Sequence, residues 1–500
     1  MIISMTKIYS IKNAYEIKKC SMVYGHFSSF HHGHIRYLNY AKQQGESLIL
    51  VLMGDKPKVE KVKLQFNQKE RALTIGHLDI VDHIILLEGD ELEAAVSIVN
   101  PDVLIFGKNH EREQTQNIKS AIKIHKSKKK EILFHAGEIT YSSTNLLDKS
   151  LSKIQKDRYK EFRESISRQS LNLEILLSAL EKWESTKIIV IGDTIIDQYL
   201  ACEPLGLSSE APVIVVKEMN YKNFLGGASI VASHINALGA EAKYISVIGE
   251  DNIGKYAHEE LNKKGIETFL IKDKTRPTTF KKRYMVDNQK IFRVSRIEEK
   301  KINVNIEKKI IKILKENIPL SDGIVISDFV YGVITPRILK VIIDLATKYQ
   351  IPLFGDLQCS SQIGSVTKFK KFTLICPNEK EARIALQDKE SGLEVIAQKI
   401  IKETNTANLL MKFSHEGFLI YDCKDKTKIL RQSFPALSVK PLDVTGAGDS
   451  LLAVMATGMS SKQSIMISAA LGCCMAGIAV ENMGNRPIDI SQIRDKLIEI

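Results

Sequence analysis

Short apolar runs alternate with amphipathic stretches along most of the chain. Ser47 to Met53, Ile84 to Leu87, Val103 to Phe106 and Ile132 to Phe134 read as strands, and His34 to Gln44 and Gln68 to Leu78 between them read as helices. Repeated β–α alternation predicts a parallel sheet with helices on both faces, an α/β fold. The rhythm stops near Thr144. Lys149 to Gln169 is dense in Lys, Arg, Glu and Ser, with Ile154, Phe162 and Ile166 as isolated apolar points. Leu173, Leu176, Leu177 and Leu180 then fall at i, i+3, i+4 and i+7, one stripe of an amphipathic helix. A second β–α series begins at Lys187-Ile-Ile-Val-Ile-Gly-Asp193 and continues to the last residues. The chain therefore divides into a domain over residues 1–150, a helical connector over 151–185 whose second half docks on the second domain, and that domain itself over 186–500.

Composition narrows the picture only a little. The 500 residues are 44% hydrophobic and 26% charged, enough to bury substantial cores without disulfides or structural metals. Lys plus Arg exceed Asp plus Glu by 71 − 59 = 12, which favours polyanionic partners without choosing among nucleotides, phosphosugars, RNA and anionic membrane. The seven cysteines are scattered, with no C-x-x-C pair, so reduced thiols are expected. No continuous apolar leader opens the chain, and Ile465 to Val480 is too short and too rich in Ser, Gly and Cys to span a bilayer. A buried core helix is expected there, and a cytoplasmic protein without a membrane partner.

Chemistry concentrates in two segments. In the first, Gly25-His26-Phe27-Ser28-Ser29-Phe30-His31-His32-Gly33-His34 joins a strand to a helix. Backbone amides and the dipole at a helix start favour phosphate, and two imidazoles there can donate to charge developing on phosphorus. Three histidines in four residues also suggest a metal site, but no carboxylate or cysteine stands at ligand spacing, so no metal ligands are assigned. The segment resembles the cytidylyltransferase-like branch of the nucleotidyltransferase superfamily through Gly25, Phe27, His31, Gly33, His34, Tyr37 and Leu38. Pro101-Asp102-Val103-Leu104 and Ser142-Ser143-Thr144 extend the likeness, and Glu70-Arg71 falls where the family keeps an arginine. The resemblance implies that Gly25, Phe27, His31, His34, Ser143 and Thr144 surround the nucleotide phosphates, His31 and His34 as catalytic groups. Lys56 or Lys58 would add positive charge. The resemblance implies ATP as the nucleotide, with CTP possible for this domain, and leaves the choice between them open.

In the second segment, Asp443-Val444-Thr445-Gly446-Ala447-Gly448-Asp449-Ser450 precedes an apolar helix. Consecutive amides at Gly446, Ala447 and Gly448 can hold a phosphate, and Asp449 on the first turn can take a proton from a hydroxyl attacking the γ-phosphate of ATP. This run resembles the ribokinase-like (PfkB) carbohydrate kinases. By that likeness Asp193, Asp197, Gly226 and Gly227 would bind the sugar, and Asn378 and Glu381 of Pro377-Asn378-x-x-Glu381 would arrange Mg²⁺ and phosphate. Ser209-Glu210-Ala211-Pro212-Val213, Gly239, and Ser327-Asp328 with Gly332 resemble the heptose kinase branch, which is fused to an adenylyltransferase in ADP-heptose synthesis.

The likeness thus covers a Rossmann-like nucleotidyltransferase domain and a ribokinase-like domain, in reverse of the family's usual order. It implies a sugar (phosphate) kinase joined to a sugar-1-phosphate nucleotidyltransferase, using ATP and Mg²⁺ and acting on small sugar phosphates as a homo-oligomer. Besides the inverted order, three positions depart from the pattern: Ser28 stands for an aspartate, Phe106 for a lysine, and Ile230 for the asparagine after the di-glycine. An alternative makes the N-terminal domain a nucleotide-binding or assembly module. A nucleic-acid partner is not expected, because no anticodon-binding-like domain accompanies the histidine motif.

Overall fold

The computed structural model describes residues 6–27, 32–55, 67–76, 80–89, 91–107, 115–128, 130–135, 151–211, 213–287, 289–358, 364–389, 391–424 and 430–500. Among these the chain forms two compact units, one of residues 1–150 with 388–398 and one of 151–387 with 399–500.

The first unit holds a parallel sheet of β1 (Lys7–Ser10), β2 (Cys20–Gly25), β3 (Ser47–Leu52), β4 (His83–Leu86), β5 (Val103–Gly107) and β6 (Glu131–His135). Their spatial order is β1-β4-β3-β2-β5-β6. From β2 the chain winds through β3 to β4 on one side and returns to β5 and β6 on the other. The order reverses between β2 and β5, and ligands of open α/β sheets bind in the crevice at such a reversal. Helices His32–Lys42, Gln68–Gly76, Leu92–Val99 and Gln116–Ser127 connect the strands. The fully buried run Leu48 to Leu52 explains β3: β-branched and leucine side chains on both faces suit a strand covered on both sides.

The second unit is built on two sheets. The strands of the larger are β7 (Lys187–Gly192), β10 (Glu241–Gly249), β11 (Glu267–Asp273), β14 (Gly323–Asp328), β15 (Leu353–Leu357), β16 (Leu374–Ile375), β17 (Asn408–Lys412), β18 (Phe418–Asp422) and β19 (Leu430–Phe434). Its nine strands are ordered β11-β10-β7-β14-β15-β16-β17-β18-β19. From β11 to β17 they are parallel, and the order reverses between β7 and β14. The smaller sheet comprises β8 (Thr194–Leu207), β9 (Ile214–Gly227), β12 (Thr279–Val286) and β13 (Gln289–Arg296), in the order β13-β12-β8-β9. The helix expected from the apolar run spans Ile465–Val480 and is buried almost all round. Among the described residues no helix is long and apolar enough to cross a membrane.

The first half of the expected connector packs as closely as the second. Helix Leu151–Arg168 inserts Phe162 and Ile166 into the same core as Trp183 and Leu180. Its polar face is fixed too: Gln155 donates to the Leu437 carbonyl at 2.6 Å, Tyr159 to Glu499 at 2.6 Å and Arg163 to the Ile500 carbonyl at 2.6 Å. Two apolar residues four apart suffice to bury one face, and long polar side chains then reach backbone acceptors. Of the leucine stripe, Leu176 and Leu180 are buried and Leu173 is exposed.

Candidate active sites

In the second unit the carboxyl ends of the parallel strands converge on a cleft of about 520 Å³. Asp356 lies on β15 with Gln358 just beyond it, Asn378 follows β16, and Lys412 ends β17. Helix Ala447–Ser460 points its N-terminus into the same cleft. Its first intrahelical bond runs from Ser450 N to Gly446 O at 2.9 Å, so the amides of Ala447, Gly448 and Asp449 lie outside the helical ladder. Gly446 turns the chain with φ +84°, a left-handed conformation that a side chain would resist, and a Cβ there would sit 2.2 Å from Asn485 Oδ1. The result is a bare anion-binding turn with a carboxylic acid on the first turn of the helix.

The two aspartates of this motif are driven apart electrostatically. Asp443 is pushed up by burial, but hydrogen bonds from Lys290 (2.7 Å), Tyr199 (2.5 Å) and the Thr445 amide (3.0 Å) hold it below the usual carboxylate range. It is an ionised anchor for the turn. Asp449 is pushed up to about 8, first by burial and then by the charge of Asp356, with Lys412 pulling the other way. Gln358 Nε2 donates to its Oδ1 at 3.4 Å. A carboxyl whose proton is held near neutrality suits general base work on a hydroxyl.

Lys412 was not singled out by the sequence. Its side chain, 15% exposed, binds both oxygens of Asp356 at 2.8 and 2.9 Å and lies 3.3 Å from where a Cβ on Gly448 would stand. Asn378 and Glu381 line the cleft as reciprocal helix caps: Asn378 Oδ1 accepts from Glu381 N at 2.8 Å, and Glu381 Oε2 accepts from Asn378 N at 2.8 Å.

The same cleft is lined by Asp197, Gly227, Lys281, Arg283 and Arg293. Alternation along β12 turns Lys281, Arg283 and Met285 inward. Arg283 pairs with Asp197 at 2.5 Å, and Asn485 Nδ2 donates to the other oxygen of Asp197 at 3.2 Å. Lys281 is buried over the rings of Phe329 and Tyr331, 5.1 and 5.4 Å from their centroids, and forms no ion pair among the described residues.

The sugar-site residues named from the sequence separate here. Gly226 packs against Asp197, whose Oδ2 would lie 2.4 Å from a Cβ at that position, and Gly227 lines the cleft with φ +59°. Asp193 is not among the lining residues. It accepts from the amides of Phe329 (2.8 Å) and Tyr331 (3.4 Å), and its carboxyl is raised by burial and then by the neighbouring charge of Asp328. It thereby clamps a strained turn in which Val330 has φ +64°, holding Phe329 in the cleft wall. Ile230 is fully buried in helix Ala228–Ala237 and does not line the cleft.

In the first unit, Gly25 ends β2 at the reversal of strand order, followed by buried Phe27 at φ +48°. His34 lies on the first turn of helix His32–Lys42, its ring 5.0 Å from that of Phe27. The buried Arg71 draws together the ends of two strands. It donates to the carbonyls of His26 and Met53, the latter at 3.0 Å, and pairs with Asp55 at 2.8 Å. Phe106 is fully buried in the core, stacked with Phe134 at 6.0 Å. Its side chain thus fills core space where the resembled family carries a cation. His31, Lys56, Lys58, Ser143 and Thr144 lie outside the described residues.

An aspartate beside a helix-terminal turn of unbonded amides, with Lys412, Lys281 and Arg283 in the same region, is an arrangement that suits phosphoryl transfer. The family model described as pfkB family carbohydrate kinase matches residues 185–491, and the chain belongs to that family. A second model, Cytidylyltransferase-like, matches residues 22–149. Among curated relatives, the bifunctional protein HldE of a Nitratiruptor species is 33% identical over 312 residues, covering 62% of this chain and 64% of that protein. The HldE of Trichlorobacter lovleyi is 32% identical over 328 residues, covering 65% of each. The match thus spans slightly under two thirds of these relatives' length. The fold of phosphofructokinase-2 from Escherichia coli is similar with a TM-score of 0.53 at 16% identity, covering 63% of this chain and 99% of that one. Ribokinase from Giardia lamblia gives 0.50 at 14% identity over the same share of each.

Proposed function

We propose that the protein is a two-site enzyme. The C-terminal unit transfers the γ-phosphoryl group of ATP to a hydroxyl of a phosphorylated sugar, giving ADP. The N-terminal unit joins a sugar 1-phosphate to a nucleoside monophosphate unit, releasing pyrophosphate. The nucleotide-activated sugar so made is of the ADP-heptose kind. The observation that carries the kinase half is Asp449, held at the turn 446–448 with its proton near neutrality and lining one cleft with Asp197. Asp449 takes the proton of the attacking hydroxyl, while the turn amides and Lys412 stabilise the transferring phosphoryl charge. Lys281, Arg283 and Arg293 at the acceptor end support a substrate that already carries a phosphate.

ATP brings Mg²⁺ with it in this reading, and the ion neutralises polyphosphate charge. In this reading the ion is held by the phosphates and water beside Glu381, which lines the cleft. Assembly of identical chains belongs to the same proposal. Leu205, Leu207, Val213 and Ile214 at the tip of the β8–β9 arm are exposed and give a second copy an apolar surface.

For the N-terminal unit the supporting features are Gly25, Phe27 and His34 at the reversal of strand order, together with the family match. Phe106 in the core favours a second reading, a nucleotide-binding module without transferase chemistry. Separate assays distinguish the two. His34→Ala is expected to lose pyrophosphate release and keep phosphoryl transfer, with Asp449→Asn the reverse. A wild-type protein that binds two nucleotides per chain by calorimetry, one of them lost in His34→Ala, yet releases no pyrophosphate with any sugar 1-phosphate establishes the module.

A further inference from the structure

Ile230 leaves the helix after the di-glycine without an amide to offer a sugar, and another amide occupies the cleft instead. Asn485 is 7% exposed and lines it. Its Nδ2 donates to Asp197 Oδ2 at 3.2 Å. A carboxylate only accepts, so the nitrogen must face Asp197 and Oδ1 must point the other way. That oxygen is buried and has no hydrogen-bond partner among the described residues. It fills the space left by the absent side chain of Gly446, 2.2 Å from a Cβ there, while Nδ2 lies 3.4 Å from a Cβ on Gly226. One side chain therefore stands between the di-glycine, the acceptor carboxylate and the phosphate turn, with an acceptor oxygen awaiting a donor.

We propose that Asn485 is a specificity-determining residue of the acceptor subsite, its Oδ1 accepting from one sugar hydroxyl other than the attacking one. It supplies from the C-terminal segment the hydrogen bond that position 230 cannot make. The proposal rests on the reading of the Asp197 end as the acceptor site. A hydroxyl recognised by a buried partner is selected strongly, because the analogue lacking it leaves that partner bare.

The test is a kinase assay of the full-length wild type and Asn485→Ala on hexose and heptose phosphates and on each monodeoxy form of the best substrate. For the wild type, one deoxy form is expected to lose about ten- to a hundredfold in kcat/KM, the worth of one unmade buried hydrogen bond. In Asn485→Ala that single penalty disappears, the other deoxy penalties persist, and KM for ATP changes less than about twofold. Asn485→Ser repeats the comparison if the alanine variant unfolds. A loss shared equally by all analogues makes Asn485 only a support for Asp197 and overturns the proposal, as does an effect confined to KM for ATP. A wild type that binds ATP but phosphorylates nothing in the panel overturns the acceptor reading, and this proposal with it.

Discussion

Asp449→Asn removes the proposed base and keeps the shape of the side chain. Its consequence for stability follows from the environment of the carboxyl, which burial and Asp356 raise from 3.8 to about 8. Below pH 4 the group is protonated in both the folded and the unfolded chain, and the two proteins should be about equally stable. Between pH 4 and 8 the unfolded chain releases the proton while the folded one keeps it. The unfolded state then binds fewer protons, and wild-type stability falls as pH rises. Above pH 8 the loss is complete. Taken over that interval, the difference is on the order of 5 kcal/mol in favour of asparagine. Urea denaturation of both proteins from pH 4 to 9 measures it, with a stability difference expected to grow from near zero to a plateau. Phosphoryl transfer by the variant is expected to fall by about 10²–10⁴-fold, the usual worth of a general base. A difference flat with pH would refute the electrostatic reasoning, and an active asparagine variant would refute the role.

Lys412→Met leaves Asp356 buried and unpaired, and about 3–5 kcal/mol of stability should be lost in urea denaturation at pH 7. Arg71→Ala strips donors from two loop carbonyls and Asp55 in the first unit; about 1–3 kcal/mol should be lost, with nucleotide binding by calorimetry weakened. Arg283→Lys keeps the charge beside Asp197 but not the planar fork, so KM for a phosphorylated acceptor should rise while KM for ATP stays.

The glycine-rich turn and Asp449 were legible because they form one contiguous motif, from Asp443 to Ser450, whose residue types dictate its conformation. Lys412, Arg283 and Asn485 were not. Each is a single residue in an ordinary context, a lysine closing an apolar strand, an arginine alternating along another, an asparagine in an irregular segment. Only the convergence of strand ends and loops makes them neighbours of Asp356, Asp197 and Gly446. Asp193 and Asp197 look alike in sequence, but Asp193 precedes β8 and accepts from the amides that follow β14, whereas Asp197 lies within β8 and lines the cleft. Asn378-x-x-Glu381 carries a capping-box pattern as well as a family motif, and the structure shows the cap. The charged helix 151–168 read as a connector because Phe162 and Ile166 are sparse, yet two such anchors and a polar face with specific acceptors suffice for docking.

Coupling of two chemistries in one chain is tested most directly by its products. The full-length protein is incubated with ATP or CTP, Mg²⁺ and hexose or heptose phosphates, including sugar 1-phosphates, and the mixture is analysed by mass spectrometry. The expected result is a newly phosphorylated sugar together with ADP from the acceptor phosphates, and a nucleotide sugar with equimolar pyrophosphate from a 1-phosphate. A phosphorylated sugar from some acceptor, but no nucleotide sugar from any pair, would contradict the two-site claim.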